Sequence, residues 1–294
     1  MNQQKKQAIP IGTLIKGTED PAQRIRTLAP MGFSCFSIIF WENLGPVDMG
    51  LLRDTVLEAL EETGTFISSL SVYGNPLAPG EGGIKTREAM KQLLEIAPSL
   101  HCPIVSGFAG RIPGTSVVES IEPWKQIFTP LAELAEHNHT EIAFENCRLG
   151  DTWKTGKWNI AINPDAWDLM FSALPTPNIG LEWEPCHQVE ALADPLPQAE
   201  EWAGKIIHIH GKDARINRMW LARKGIFGAQ KYYAPCFPGN GDTDWGKLIT
   251  TLHQRGYKGT IDIEGWNDAE WSGDKEIEGQ KQALDYLISC SQGY

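Results

Sequence analysis

"KIIHIHGKDAR", residues 205–215, sets two histidines two apart in an apolar run and then breaks into Gly-Lys-Asp. Successive side chains of a strand point to opposite faces, so Ile207 and Ile209 share one face and His208 and His210 the other. The same split recurs in three more runs. In 141–145 (EIAFE), Ile142 and Phe144 oppose Ala143 and Glu145; in 178–184 (NIGLEWE), Leu181 and Trp183 oppose Glu182 and Glu184. In 259–264 (GTIDIE), Ile261 and Ile263 oppose Asp262 and Glu264. One parity is apolar in all four strands, which suits packing against helices. The other holds only polar groups at its ends.

Four earlier runs also read as strands: 10–15 (PIGTLI), 34–39 (SCFSII), 66–72 (FISSLSV) and 103–108 (PIVSGF). Amphipathic stretches such as "MGLLRDTVLEALEETG" and "TREAMKQLLEIAPSL" lie between the strands. Strand–helix alternation implies parallel strands joined by βαβ crossovers. Eight such units in 294 residues predict an α/β fold, a (β/α)8 TIM barrel, as one domain over 1–294. The rival is a doubly wound open sheet, which would carry a glycine-rich phosphate loop after its first strand; "LIKGTEDP" at 14–21 supplies none. Long segments follow predicted strands at 73–86, 109–120 and 211–243, at the carboxyl ends where barrel enzymes keep their sites.

Composition narrows the function classes. A net charge of −11 and a pI of about 5.1 disfavour a nucleic-acid partner, and no basic run exceeds Lys5-Lys6. No apolar run approaches ~18 residues, so no membrane span is expected. The start of the chain has no apolar segment of signal-peptide type, and the six cysteines (35, 102, 147, 186, 236, 290) form no C-x-x-C pair. Together these predict a cytoplasmic protein without a disulfide framework.

In a closed barrel the second parity points at the axis, normally filled by branched aliphatic residues. Two carboxylates ~4 Å apart repel by ~4 kcal/mol at an effective dielectric near 20. The strands as read offer no Lys or Arg on that parity, so a divalent cation is the economical counter-charge. The residues nearest the carboxyl ends, Glu145, Glu184, His210 and Glu264, are the expected ligands, with Glu182 and His208 one pleat deeper in support. Mostly oxygen donors suit Mn²⁺ or Mg²⁺, with Co²⁺ and Zn²⁺ as alternatives. Lys212 and Asp213 read as a pair that orients His210.

The motifs "FEN" (144–146), "EPCH" (184–187), "HIHGKD" (208–213) and "IDIEG" (261–265), with "PGNGDTDW" (238–245) ahead of the last strand, resemble the xylose isomerase-like TIM-barrel superfamily over residues 140–270. Its relatives include ketose 3-epimerases, inosose dehydratases and endonuclease IV. The resemblance implies a metal-dependent sugar isomerase or epimerase working through an enediolate, with Glu145 and Glu264 as paired acid and base. It also implies that Glu184 stands where many members have an aspartate ligand, that His210 binds the metal, that His187 contacts substrate or a second metal, and that Arg215 lies near an arginine that grips a substrate hydroxyl or phosphate. Trp41 and Trp266 are candidate sugar-stacking residues, and Trp153 and Trp158 weaker ones. The nearest rival activity is a lyase, either an inosose-type dehydratase or a β-eliminating 3-keto-glycoside deglycosidase. A phosphodiesterase and a non-catalytic barrel are the other readings. The segment 217–238 reads either as a lid or as a contact in a homo-oligomer.

Overall fold

The computed structural model describes residues 8–266 and 268–292; Lys5 and Lys6 lie outside them. Ten strands are described: β1 Ile11–Lys16, β2 Cys35–Trp41, β3 Phe66–Tyr73, β4 Ile104–Gly107, β5 Glu141–Glu145, β6 Ile179–Trp183, β7 Ile206–Gly211, β8 Asp213–Ile216, β9 Tyr233–Cys236 and β10 Ile261–Ile263. Eight of them close a parallel barrel in the order β1-β10-β7-β6-β5-β4-β3-β2, and β8 and β9 form a separate antiparallel ribbon. Helices α1 (Pro21–Leu28), α2 (Met49–Thr63), α3 (Glu81–Ile96), α4 (Val117–His137) and α5 (Pro164–Ala173) follow the first five strands in turn. After β6 come α6 (Pro185–Glu190) and α7 (Pro195–Trp202). The short α8 (Arg218–Lys224) lies between β8 and β9, α9 (Trp245–Gln254) leads into β10, and α10 (Glu276–Gln292) follows it. The expected barrel is thus the observed one.

The apolar parity faces the helices. Phe144 on β5, for example, meets Phe128 and Trp124 of α4 edge-on at ring-centroid separations of 4.8 and 5.6 Å, all three fully buried. Helix α4 starts there because Ser116 and Glu119 form a reciprocal capping box. The axial parity departs from the usual aliphatic filling. On β2, β3 and β4 it carries Ser37, Ser69, Ser71 and Ser106, whose hydroxyls satisfy one another (Ser37–Ser69 and Ser71–Ser106 both 2.6 Å). On β5, β6, β7 and β10 it carries the carboxylates and imidazoles. Lateral register sets Glu182 beside both Glu145 and His208, and Asp262 beside His210.

The segment 211–243 is not a plain loop. It folds as the β8–β9 ribbon with α8 between its strands. A further long segment, 146–163, lies over the barrel mouth and is locked by buried polar groups. The Asp151 carboxylate accepts from the backbone N–H groups of Lys157, Trp158 and Asn159 at 2.8–2.9 Å. The buried Arg111 guanidinium donates to the carbonyls of Thr115, Thr152 and Trp153. Replacing Arg111 with Met strands those carbonyls, and we expect a loss of about 3 kcal/mol in urea unfolding. An unchanged midpoint would show that the lock contributes no stability.

Candidate active site

Two polar layers are stacked on the barrel axis. In the lower one, His208 Nδ1 lies 2.7 Å from Glu182 Oε2 and its Nε2 lies 2.6 Å from Asp262 Oδ2, all fully buried. An imidazole that meets a carboxylate at each nitrogen must donate from both, so His208 is an imidazolium. Burial opposes that charge, but Asp262 and Glu182 raise its pKa to about 9. Asp262 also accepts from Ser68 at 2.5 Å.

In the upper layer, Tyr73 decides how His210 is presented. The Tyr73 hydroxyl donates to Glu182 Oε1 at 2.6 Å, so at 3.2 Å from His210 Nε2 its oxygen is left to accept. With carboxylates alone around Nδ1 the ring is held protonated: burial opposes the charge, but Glu182, Tyr73 and Glu145 raise its pKa well above the usual imidazole value. With a cation bound, the ring proton would sit on Nε2 and the Nδ1 lone pair would face the mouth. There Nδ1 lies 3.1 Å from Glu145 Oε1, 3.2 Å from Glu264 Oε2 and 3.5 Å from Glu184 Oε2. One donor atom from each of these four residues falls within 4.8 Å of all the others.

Three carboxylates around one imidazole nitrogen need a positive charge among them. Burial pushes the Glu145 carboxyl up to about 7; the His210 ring opposes the shift, while Glu184 and Glu264 add to it. Glu184 has both oxygens buried and neither in a hydrogen bond. Burial would raise its pKa, but His187, Lys212 and His210 hold it well below the usual carboxylate range. A fully buried, ionised carboxylate without hydrogen bonds is what an absent cation would leave behind. The spacing fits as well, since octahedral ligands at ~2.1 Å lie about 3.0 Å apart. The donor set therefore suits a hard divalent ion. Asn146 braces Glu184, accepting from its N–H at 2.7 Å and donating to its carbonyl at 3.1 Å.

The cluster opens into a cavity of about 1180 Å³ lined by Trp41, Phe108, His187, Trp266, Phe227 and Tyr233, among others. Trp41 is 58% exposed and stands edge-on to Phe108, while Trp266 packs against a small apolar cluster that includes Tyr73 and Phe108. His187 Nε2 lies 3.2 Å from Glu184 Oε1, and its Nδ1 lies 3.4 Å from Glu190. Trp153 and Trp158 do not line this cavity.

Three expectations need correction. Lys212 and Asp213 do not pair. The Lys212 ammonium enters the site and bonds Glu264, 3.8 Å from Glu184. Asp213 instead accepts from the N–H groups of Ala214 and Thr243 and from the Trp245 indole, which pins the returning end of the ribbon. The axial parity therefore does carry a cation: a tight turn, closed by Lys212 N–H on the His210 carbonyl at 3.0 Å, carries it one pleat past His210. Arg215 lies outside the cavity lining; its half-exposed side chain pairs with Glu270 at 3.0 Å because β8 has already left the barrel.

Comparisons with known proteins agree with this architecture. The family described as xylose isomerase-like TIM barrel matches residues 25–290. The uncharacterized protein YfiH of Bacillus subtilis (strain 168) is 26% identical over 261 residues, 81% of this chain and 82% of that one. Among solved structures, a xylose isomerase domain protein from Planctomyces limnophilus superposes with a TM-score of 0.74 at 15% identity, covering 97% of both chains. The E. coli 3-keto-D-glucoside 4-epimerase YcjR gives 0.69 at 14%, covering 96% of this chain and 100% of that one. The D-allulose 3-epimerase of a Methylomonas species, solved with D-allulose, gives 0.70 at 15%, covering 96% and 97%. At these identities the structural likeness speaks for the fold.

Proposed function

The chain belongs to the xylose isomerase-like TIM-barrel family, and we propose that it is a divalent-metal-dependent isomerase or epimerase of a sugar or keto-sugar. The observation that carries this reading is the convergence of Glu145 and Glu264, from strands far apart in sequence, on one imidazole nitrogen at the floor of an aromatic-walled cavity. Glu145, Glu184, His210 and Glu264 would hold the ion, Mn²⁺ or Mg²⁺ by its oxygen-rich donor set. Bound there, it would supply Lewis-acid polarisation of the substrate carbonyl.

The chain's own residues do the rest. One glutamate of the pair takes the proton from the carbon beside the carbonyl, giving an enediolate, and the other returns a proton to the opposite face or to the neighbouring carbon. Tyr73 keeps the His210 ring turned so that Nδ1 faces the carboxylates. Trp41, Trp266 and Phe108 offer ring faces to sugar C–H groups and keep bulk water away from the reacting carbon. His187, on the cavity wall beside Glu184, is placed to bond a substrate hydroxyl.

A second outcome has its own support. At about 1180 Å³ the cavity exceeds the ~300–1000 Å³ usual for small-ligand sites, which leaves room for a second sugar ring. With a leaving group β to the carbanion, the same intermediate eliminates it instead of being reprotonated. The test is incubation of Mn²⁺-loaded protein with keto-sugars and 3-keto-glycosides in D₂O. We expect deuterium at the carbon beside the carbonyl, and abolition of that exchange by a chelator. Conversion without change of formula marks epimerisation or isomerisation, whereas an ultraviolet-absorbing unsaturated carbonyl marks elimination. No exchange and no elimination across the panel would refute the reading.

A further inference from the structure

Lys212 is a buried ammonium that the mechanism above does not use. It continues the axial parity of His208 and His210, lines the cavity and bonds Glu264. The site's charge explains why a cation stands there. A divalent ion would displace the proton from His210 Nδ1 and meet three carboxylates, which leaves one negative charge of the ligand set unbalanced. The cavity's other ammonium and guanidinium groups are engaged elsewhere: Arg148 pairs with Glu190 at 2.9 Å, and Lys231 lies over the Tyr233 ring. Among the described cavity-lining residues, the His187 ring faces Glu184 at 3.2 Å, and Lys212 is the ammonium set against the cluster, bonded to Glu264. Its ammonium has three N–H donors. One serves Glu264; the next carboxylate, Glu184 at 3.8 Å, lies beyond hydrogen-bond range.

We propose that Lys212 is a further catalytic group, which balances the third carboxylate of the loaded site and donates a hydrogen bond to the substrate oxygen that becomes negative in the enediolate. The second half of this rests on the enediolate reading. As a glutamate takes the C–H proton, the bonding pair moves toward that oxygen; Lys212 keeps its own protons and stabilises the charge where it develops. Lysine suits the role because its compact charge sits on a long stem that reaches the site from the turn after β7.

The experiment uses Lys212→Met and Lys212→Arg in two arms. The first is calorimetric titration of the metal-free proteins with MnCl₂ alone, with no sugar present. A cation beside a divalent ion repels it, so we expect Lys212→Met to bind Mn²⁺ at least about tenfold more tightly and Lys212→Arg to bind as wild type does. Unchanged or weaker Mn²⁺ binding by a Lys212→Met protein with wild-type circular dichroism would overturn the charge-balance role. If Lys212→Met does not fold, Lys212→Gln carries the same comparison. The second arm is deuterium exchange at saturating Mn²⁺. We expect kcat to fall at least about a hundredfold in Lys212→Met with KM little changed, and Lys212→Arg to recover part of the loss. A purely structural lysine would not give that split, and wild-type kcat in Lys212→Met would overturn the oxyanion role. Tighter Mn²⁺ binding combined with a wild type that exchanges no sugar would refute the enediolate reading and leave the charge balance standing.

Discussion

Glu264→Gln should lower solvent-proton exchange into substrate by about a thousandfold at saturating Mn²⁺. The amide keeps one oxygen that can face a cation and nearly the shape of the carboxylate, but it cannot take or hold a proton. Glu264 lies 3.2 Å from His210 Nδ1, with Glu145 on the same nitrogen at 3.1 Å, so the two carboxyls address one small volume from strand ends separated by β7 and β6. Glu145→Gln should lose a similar factor. Because an acid and a base act as one unit, the double variant should lose little more than either single one. Calorimetry with MnCl₂ shows whether metal is still bound, which separates lost proton transfer from lost metal. Wild-type exchange in metal-loaded Glu264→Gln would end the paired-acid assignment. Full loss in Glu264→Gln beside full activity in Glu145→Gln would reduce the pair to one base.

Much of this site is legible in the sequence because a strand has a period of two. Parity alone sorts Glu145, Glu184, His210 and Glu264 to the axis, and the structure brings those four together. What parity cannot give is where a strand lets go. Lys212 is on the axial parity of His208 and His210, yet it follows the last residue of β7, and only the tight turn at 210–212 carries it inward. Arg215 lies beyond that turn, in a ribbon of different pairing, so counting from His210 does not place it. Tyr73 lies one residue past the strand read over 66–72, where it closes the series Ser69, Ser71, Tyr73 on β3. Its significance appears only when the barrel closes, because its partners Glu182 and His210 come from across the axis. The lock on 146–163 depends on Arg111 and Asn75, which are distant in sequence from the segment they hold, and no local pattern reports such bonds.

The lower layer carries the largest expected effect on stability. His208 is clamped between Glu182 and Asp262 with no exposure at any of the three, and β1 leaves room for them only because Gly12 has no side chain. A Cβ at Gly12 would lie 2.1 Å from Asp262 Oδ1. Removing one member of a buried ion network strands the others, so Asp262→Ala should lose about 3–5 kcal/mol in urea unfolding. Against a total of ~5–15 kcal/mol, that loss can leave the protein largely unfolded at 37 °C. The pH dependence follows from His208. Its pKa is raised from 6.5 to about 9 in the folded chain, as Asp262 and Glu182 overcome the opposing effect of burial. The His208 contribution is therefore fully present below pH 6.5 and is lost as pH rises through about 9. The urea midpoint of the wild type should fall across that window. His208→Leu, already destabilised, should show a flatter profile there. If Asp262→Ala unfolds at the wild-type urea concentration, the three-residue clamp contributes nothing to stability; if His208→Leu keeps the wild-type slope, the imidazolium is not the group that titrates.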